Sequence, residues 1–219
     1  MKWPFCKEYH CPTHCQFYQE IGKKHNISSR VLLETENWYA IPTIGSLTVG
    51  YVLLVCKKHY LSLSNLSDKL YYEMIDLKTK IEKIIFEKMG LPCVCFEHGT
   101  PSKITSGANS VNHVHLHILP VTNASWQDVS QNQYISNYLI IDNYEQLWTE
   151  LKHNTETSYL LFEDTDKKIY FIGDASGTPS QFFRKGLASV LSLEEWNWKK
   201  EYYVENMMKT IELFDEQRL

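Results

Sequence analysis

The segment Asn112-His113-Val114-His115-Leu116-His117-Ile118-Leu119-Pro120 alternates imidazoles with aliphatic side chains. In an extended strand, successive side chains point to opposite faces. The pattern therefore predicts His113, His115 and His117 on one face and Val114, Leu116 and Ile118 on the other. Burial of the aliphatic face fixes the register and aims the imidazoles into one cleft. Such a group suits phosphoryl chemistry. One neutral imidazole attacks phosphorus while a neighbour donates a hydrogen bond to a phosphate oxygen or protonates the leaving group. With 9 histidines in 219 residues, three at specified positions coincide at about one start site in ten thousand. A strand that is His-rich by chance is thus a poor explanation, and a shared metal ion is the better rival.

Three other groups carry chemistry. Glu97 and His98, in Phe96-Glu97-His98-Gly99, close a strand beside the histidine segment, where a carboxylate and an imidazole could recognise a ribose or a leaving group. Composition alone reads them as a capped turn with a surface pair. Cys6, His10, Cys11, His14 and Cys15 lie close together near the start, and zinc takes four N or S ligands from such clusters. Buried reduced thiols are the plainer reading. Gln181 and Arg184 stand where a helix should begin after Pro179, a place suited to anions. The plainer reading makes Arg184 a surface residue and Phe182 and Phe183 core.

These residues need elements to position them. Strand-like runs cover 31–35, 38–41, 50–56, 93–97 and 111–119, and Cys56, Cys93 and Cys95 fall inside them as core. Residues 68–89 read as a helix, with Leu70, Met74, Leu77, Ile81, Ile84, Ile85 and Met89 on one face, Ser67 or Asp68 as cap and Gly90 as terminator. After Pro120 the texture changes. Residues 123–137 read as a polar surface connection and 144–152 as a helix. Residues 159–163 and 168–172 read as a hairpin around Asp164-Thr165-Asp166-Lys167, followed by helices over 179–191 and 194–214. The expected class is α+β: an antiparallel sheet with the long helix packed on it over 1–122, then an α+β extension over 123–219.

Composition narrows the function. The chain is 43% hydrophobic and 22% charged, with 22 basic and 26 acidic residues and a formal net charge of −4. No run of Lys or Arg suggests a non-specific nucleic-acid groove, so a polyphosphate must be held by a local site. No apolar leader and no membrane-length segment is read, and the six cysteines without a leader point to reduced thiols or metal ligands. A reducing compartment, the cytoplasm, is expected.

His113-Val114-His115-Leu116-His117-Ile118-Leu119 resembles the signature of the histidine-triad (HIT) superfamily. Glu34-Thr35-Glu36-Asn37-Trp38, Gly50 through Val55, Lys57-Lys58-His59 and Gly107-Ala108-Asn109-Ser110-Val111 are similar to its other landmarks, in the right order over roughly 11–120. The resemblance implies a nucleotide substrate and makes His115 the nucleophile at the α-phosphate. It makes His117 a phosphate contact, and His113 an orienting residue or metal ligand. Asn109 and Ser110 would donate to phosphate oxygens. Two positions depart from the pattern: Asn109 replaces the usual Gln, and Thr43 stands near a usual ribose-binding Asp. Phe96-Glu97-His98-Gly99 resembles longer branches of diadenosine-tetraphosphate hydrolases. Ser180 through Arg184 with Trp196-Asn197-Trp198 is similar to C-terminal segments of longer triad proteins, including a splicing-associated branch. Structural zinc on Cys11, Cys15, His59 and His113 is implied too, although Cys11 and Cys15 are spaced Cys-x3-Cys rather than Cys-x2-Cys. A homodimer is implied on a surface the extension could cover. The expected activity is hydrolysis at an α-phosphate through a nucleotidyl-histidine. The rivals are nucleotidyl transfer to a phosphate acceptor and a non-catalytic nucleotide- or RNA-binding module.

Overall fold

A computed structural model describes residues 5, 9–10, 14–100, 113–130, 137–175 and 177–217. Its strands are β1 (Leu33–Glu34), β2 (Trp38–Pro42), β3 (Val52–Cys56), β4 (Cys93–Gly99), β5 (His115–Pro120), β6 (Leu139–Ile141), β7 (Tyr159–Glu163) and β8 (Ile169–Ile172). All eight lie in one sheet, in the order β1-β2-β3-β5-β4-β7-β8-β6, and every neighbouring pair is antiparallel. Apart from short helical turns of up to five residues near 18–25, 63–65 and 215–217, the helices are α1 (Asp68–Met89), α2 (Trp126–Ser130), α3 (Tyr144–His153), α4 (Phe182–Val190) and α5 (Val204–Leu213). The class is α+β. No described helix is long and apolar enough to cross a membrane.

Period-2 alternation splits the core into two layers. On one face, Leu54, Cys56, Cys93, Cys95, Val114, Leu116 and Ile118 pack with the buried row of α1 and with Leu147, Trp148 and Leu151 of α3. On the other, Tyr51, Leu53, Val55, Val94 and Phe96 meet Phe182, Phe183 and Leu187 of α4. The first layer buries the aliphatic side of the histidine strand, and the second covers the side that carries the imidazoles.

Helix α1 spans the residues expected. Gly90 ends it in the left-handed region (φ 68°), where its N–H reaches the Phe86 carbonyl at 2.8 Å. Ser67 occupies the cap position in extended backbone, but its side chain makes no capping bond. In the β7–β8 hairpin, Asp164 Oδ1 accepts from the amides of Asp166 (3.0 Å) and Lys168 (2.9 Å), which closes the turn locally.

Two expectations are corrected and one unanticipated strand appears. The segment 123–137 holds α2, whose Trp126 is buried and stacked on Tyr170, with ring centroids 5.5 Å apart. An aromatic of that area gains more from the core than a polar connection gains from water. Residues 139–141 form an edge strand. The last helix starts at Val204, not near 194, because residues 196–198 are tied elsewhere. Trp196 O accepts from Arg184 Nε (3.2 Å), Asn197 Oδ1 accepts from Gln181 Nε2 (3.2 Å), and Tyr203 turns through φ 48° before α5.

The sheet does not stop at residue 122. β4 pairs directly with β7 from Cys95↔Glu163 to Gly99↔Tyr159. Beneath that seam, Lys78 of α1 reaches Glu82 and Glu163 at 2.9 Å each, while Lys167 reaches Glu82 at 2.9 Å and Glu163 at 3.2 Å. Tyr144 also donates to Glu163. Opposite charges alternate around this ring, which offsets the desolvation that burial imposes on each ion.

Candidate active site

His113 lies at a bend just before β5, held by Val114 N donating to Tyr60 O at 2.7 Å. His115 and His117 are half-buried within β5, whereas His113 is sealed at 1% exposure. Phe5 makes edge contacts with both His113 and His115, at centroid distances of 5.7 and 5.4 Å, and the His115 and His117 rings are 4.9 Å apart. The structure therefore brings all three imidazoles together, but only His115 and His117 keep partial exposure.

Hydrogen bonds to carbonyls, which only accept, fix two tautomers. His115 Nδ1 lies 2.6 Å from the His113 carbonyl, so Nδ1 carries the proton and Nε2 keeps its lone pair. His113 Nε2 lies 2.7 Å from the Cys56 carbonyl and donates to it. Burial lowers the pKa of His115 against the opposing pull of that carbonyl bond, and burial brings His113 down to about 4. A neutral His115 with a free Nε2 lone pair is a competent nucleophile.

His117 is held on two sides. Phe96 stacks on it at 4.3 Å and 8°, following the Phe96↔His117 pairing of β4 with β5. The Tyr51 hydroxyl is 2.7 Å from His117 Nδ1. Arg184, 4% exposed, reaches in from α4 with its guanidinium carbon 5.6 Å from the Tyr51 ring centre. Burial pushes Tyr51 up to about 12, partly offset by the charge of Arg184 and a hydrogen bond from it. Burial, with the positive charge of Arg184 nearby, holds His117 well below the usual imidazole value.

Tyr51 is the residue that reading the sequence missed. It directly precedes β3, whose Leu53 pairs with His117, so Tyr51 is a diagonal neighbour on the imidazole face. Only the pairing of β3 with β5 reveals this. A polar-tipped aromatic opening an otherwise aliphatic run was the available signal.

Glu97 is placed away from the triad. Alternation along β4 sends it to the α1 side, where its carboxylate accepts from Tyr159 Oη (2.5 Å) and Leu63 N (3.1 Å). Burial raises its pKa to about 8. Gly99 serves this contact, since a Cβ there would lie 2.0 Å from the Tyr159 ring. His98 shares the face of Phe96 and His117. Its buried Nε2 has no hydrogen-bond partner among the described residues, and burial lowers its pKa to about 4.

Of the remaining expected phosphate contacts, Asn109 and Ser110 lie outside the described residues. Gln181 is engaged with the 196–198 segment, its amide bonding Asn197 and accepting from Trp198 N at 3.4 Å. Arg184 donates to Gly45 O (2.6 Å) and Trp196 O (3.2 Å), and no carboxylate pairs with it among the described residues. The Thr43 hydroxyl donates to the Ile44 carbonyl at 3.0 Å.

The expected zinc ligands are partly assembled. His59 and His113 adjoin, with centroids 5.0 Å apart, and the His113–Cys56 bond is the kind that orients a ligating imidazole. Cys11 lies outside the described residues. Cys15 packs with Phe17, Ile21 and Met207, its sulfur accepting from Tyr18 N at 3.4 Å, and no cluster of three ligand atoms joins it to the two histidines among the described residues. The donor cluster that is present, Glu82, Cys95 and Glu163, belongs to the lysine ring under β4. Burial keeps the Cys95 thiol protonated, and two ammonium groups already supply the positive charge.

With this geometry in hand, comparison with known proteins places residues 24–124, just under half of the chain, as a match to the HIT domain. Similar solved structures include a HIT-family protein from Bacillus subtilis, 21% identical, covering 57% of this chain and 82% of that one with a TM-score of 0.42. A histidine triad protein from Clostridium difficile is 24% identical, covering 57% and 95% with a TM-score of 0.39. A Zn-bound histidine triad family protein from Mycobacterium smegmatis is 20% identical, covering 45% and 71% with a TM-score of 0.36. A search of curated proteins finds no match.

Proposed function

We propose that this chain is a histidine-triad nucleotide hydrolase that cleaves at an α-phosphate, on a dinucleoside polyphosphate or a related nucleoside phosphate. The observation that carries the reading is the 2.6 Å bond from His115 Nδ1 to the His113 carbonyl, which leaves the lone pair on Nε2 of a half-buried ring. Nε2 attacks the α-phosphorus, a P–N bond forms, and the P–O bond to the leaving group breaks with its electron pair. Water then attacks the same phosphorus, the P–N bond breaks, and the imidazole regains its lone pair. His117 lies alongside to meet a phosphoryl oxygen, and His98 offers a second imidazole on the same face. The HIT-domain match over 24–124 supports this reading.

The test is incubation with diadenosine tetraphosphate, with mass spectrometry of the quenched protein. Wild type should release nucleotide and carry a nucleotide adduct on His115. His115→Ala should lose turnover by more than about a thousandfold. Equal release by both proteins ends the assignment, and products carrying added phosphate would make phosphate the acceptor in place of water. The zinc implied by the resemblance enters no step. Elemental analysis finding about one zinc per chain would bring Cys11 to His59 and His113, and only traces would remove it.

A further inference from the structure

We propose that Tyr51 and Arg184 are positioning residues that set the tautomer of His117, so that its Nε2–H faces the phosphate beside the lone pair of His115. The inference rests on the hydrolase reading above for its catalytic meaning, but its structural content stands separately.

The hydrogen-bond inventory gives the argument. A guanidinium can only donate. Arg184 donates to Gly45 O and Trp196 O, and its guanidinium carbon lies 5.6 Å from the Tyr51 ring centre, so the Tyr51 hydroxyl turns its oxygen lone pairs rather than its proton toward that cation. The phenolic proton is then left for the one remaining partner at hydrogen-bonding distance, His117 Nδ1 at 2.7 Å. An Nδ1 that accepts is unprotonated, which puts the single proton of a neutral His117 on Nε2. The neighbouring ring is arranged the other way, since the His113 carbonyl draws the proton of His115 to Nδ1. Two adjacent imidazoles, 4.9 Å apart, therefore present a lone pair and an N–H from their outer nitrogens. Phe96, stacked at 4.3 Å on His117, opposes a ring flip that would exchange the nitrogens.

Burial of Arg184 without a carboxylate is otherwise hard to account for, because an unpaired guanidinium loses its hydration for carbonyl dipoles alone. As the source of the chain Arg184 to Tyr51 to His117, it has a use, and its charge also disfavours a second proton on His117. Loop geometry is shaped to admit it. Gly45 turns with φ +77°, and a Cβ there would sit 2.9 Å from Arg184 Nη2. The helix that carries Arg184 lies beyond residue 124, where the HIT-domain match ends.

The experiment is nitrogen-15 NMR of histidine-labelled protein without substrate, paired with steady-state kinetics on diadenosine tetraphosphate. Wild-type His117 should show a protonated Nε2 and an unprotonated Nδ1. Tyr51→Phe removes one oxygen and should leave His117 a mixture of tautomers, with kcat down about tenfold or more and KM changed by less than about twofold. Arg184→Lys, which keeps the charge but cannot span Gly45, Trp196 and Tyr51 together, should shift His117 in the same direction. A wild-type His117 protonated on Nδ1 overturns the proposal, even if Tyr51→Phe fails to fold. So does a folded Tyr51→Phe whose His117 keeps a single Nε2–H tautomer. Should the tautomer be as stated while His115→Ala retains activity, the hydrolase reading fails and the relay stands.

Discussion

Desolvation pushes the two kinds of titratable group buried in this sheet in opposite directions. For His115 and His117 it favours the neutral ring, so His115, the nucleophile of the proposed reaction, stays uncharged below the ordinary imidazole value of 6.5. The acid limb of kcat/KM should therefore fall below pH 6.5. A limb at or above that value, measured with a substrate that does not itself titrate there, contradicts the assignment. The same shifts enter stability. His98 and His113, lowered from 6.5 to about 4, contribute stability that is present above pH 6.5 and lost as pH falls through about 4. Glu97 has the opposite sign. Raised from 4.5 to about 8, it contributes stability that is full below pH 4.5 and lost as pH rises through about 8. Glu97→Gln keeps an acceptor for Leu63 N and should remove one proton's worth of slope across that window, read from urea unfolding at several pH values. An unchanged slope would place the raised pKa elsewhere.

At the level of strands and helices, what was legible in the sequence followed from local periodicity. The histidine strand, α1 and the β7–β8 hairpin each declare themselves within a few residues, because alternation, a 3.6-residue repeat and an Asp-led turn are local properties. What was not legible depended on pairing between distant segments. The side to which Glu97 points, the reach of Tyr51 to His117 and the early end of the last helix are all set by partners far along the chain. Asn109 and Ser110 lie outside the described residues. The 196–198 segment offers a direct test of such distant pairing. Gly45→Ala would force a Cβ to within 2.4 Å of Trp198 Cβ at a φ of +77°. It should cost about 1–3 kcal/mol and displace the tryptophans, visible in denaturation followed by their fluorescence. Lys78→Met should cost about 3 kcal/mol, because Glu163 keeps its buried charge with one cation fewer. A loss below about 1 kcal/mol would make the ring under β4 energetically idle.

The molecule is joined across residue 122 by backbone, by charge and by packing. Removing 123–219 would take β7 from β4, strip Phe182, Phe183 and Leu187 from the imidazole face, and delete Lys167 and Glu163 from the ion-pair ring. The fragment 1–122 should therefore elute from a sizing column as aggregate or expanded chain, with loss of cooperative unfolding by circular dichroism. A compact, cooperatively melting fragment would show that the first five strands suffice.

The short path from α4 to Tyr51 has a consequence for engineering. A chimera that grafts a foreign tail onto residues 1–122 would preserve every histidine of the cleft, yet forfeit the cation that keeps the Tyr51 proton pointed inward. Transplanting this tail onto a different core would supply that cation to no purpose unless the recipient carried a hydroxyl where Tyr51 stands. Core and tail are, in this respect, halves of one working unit.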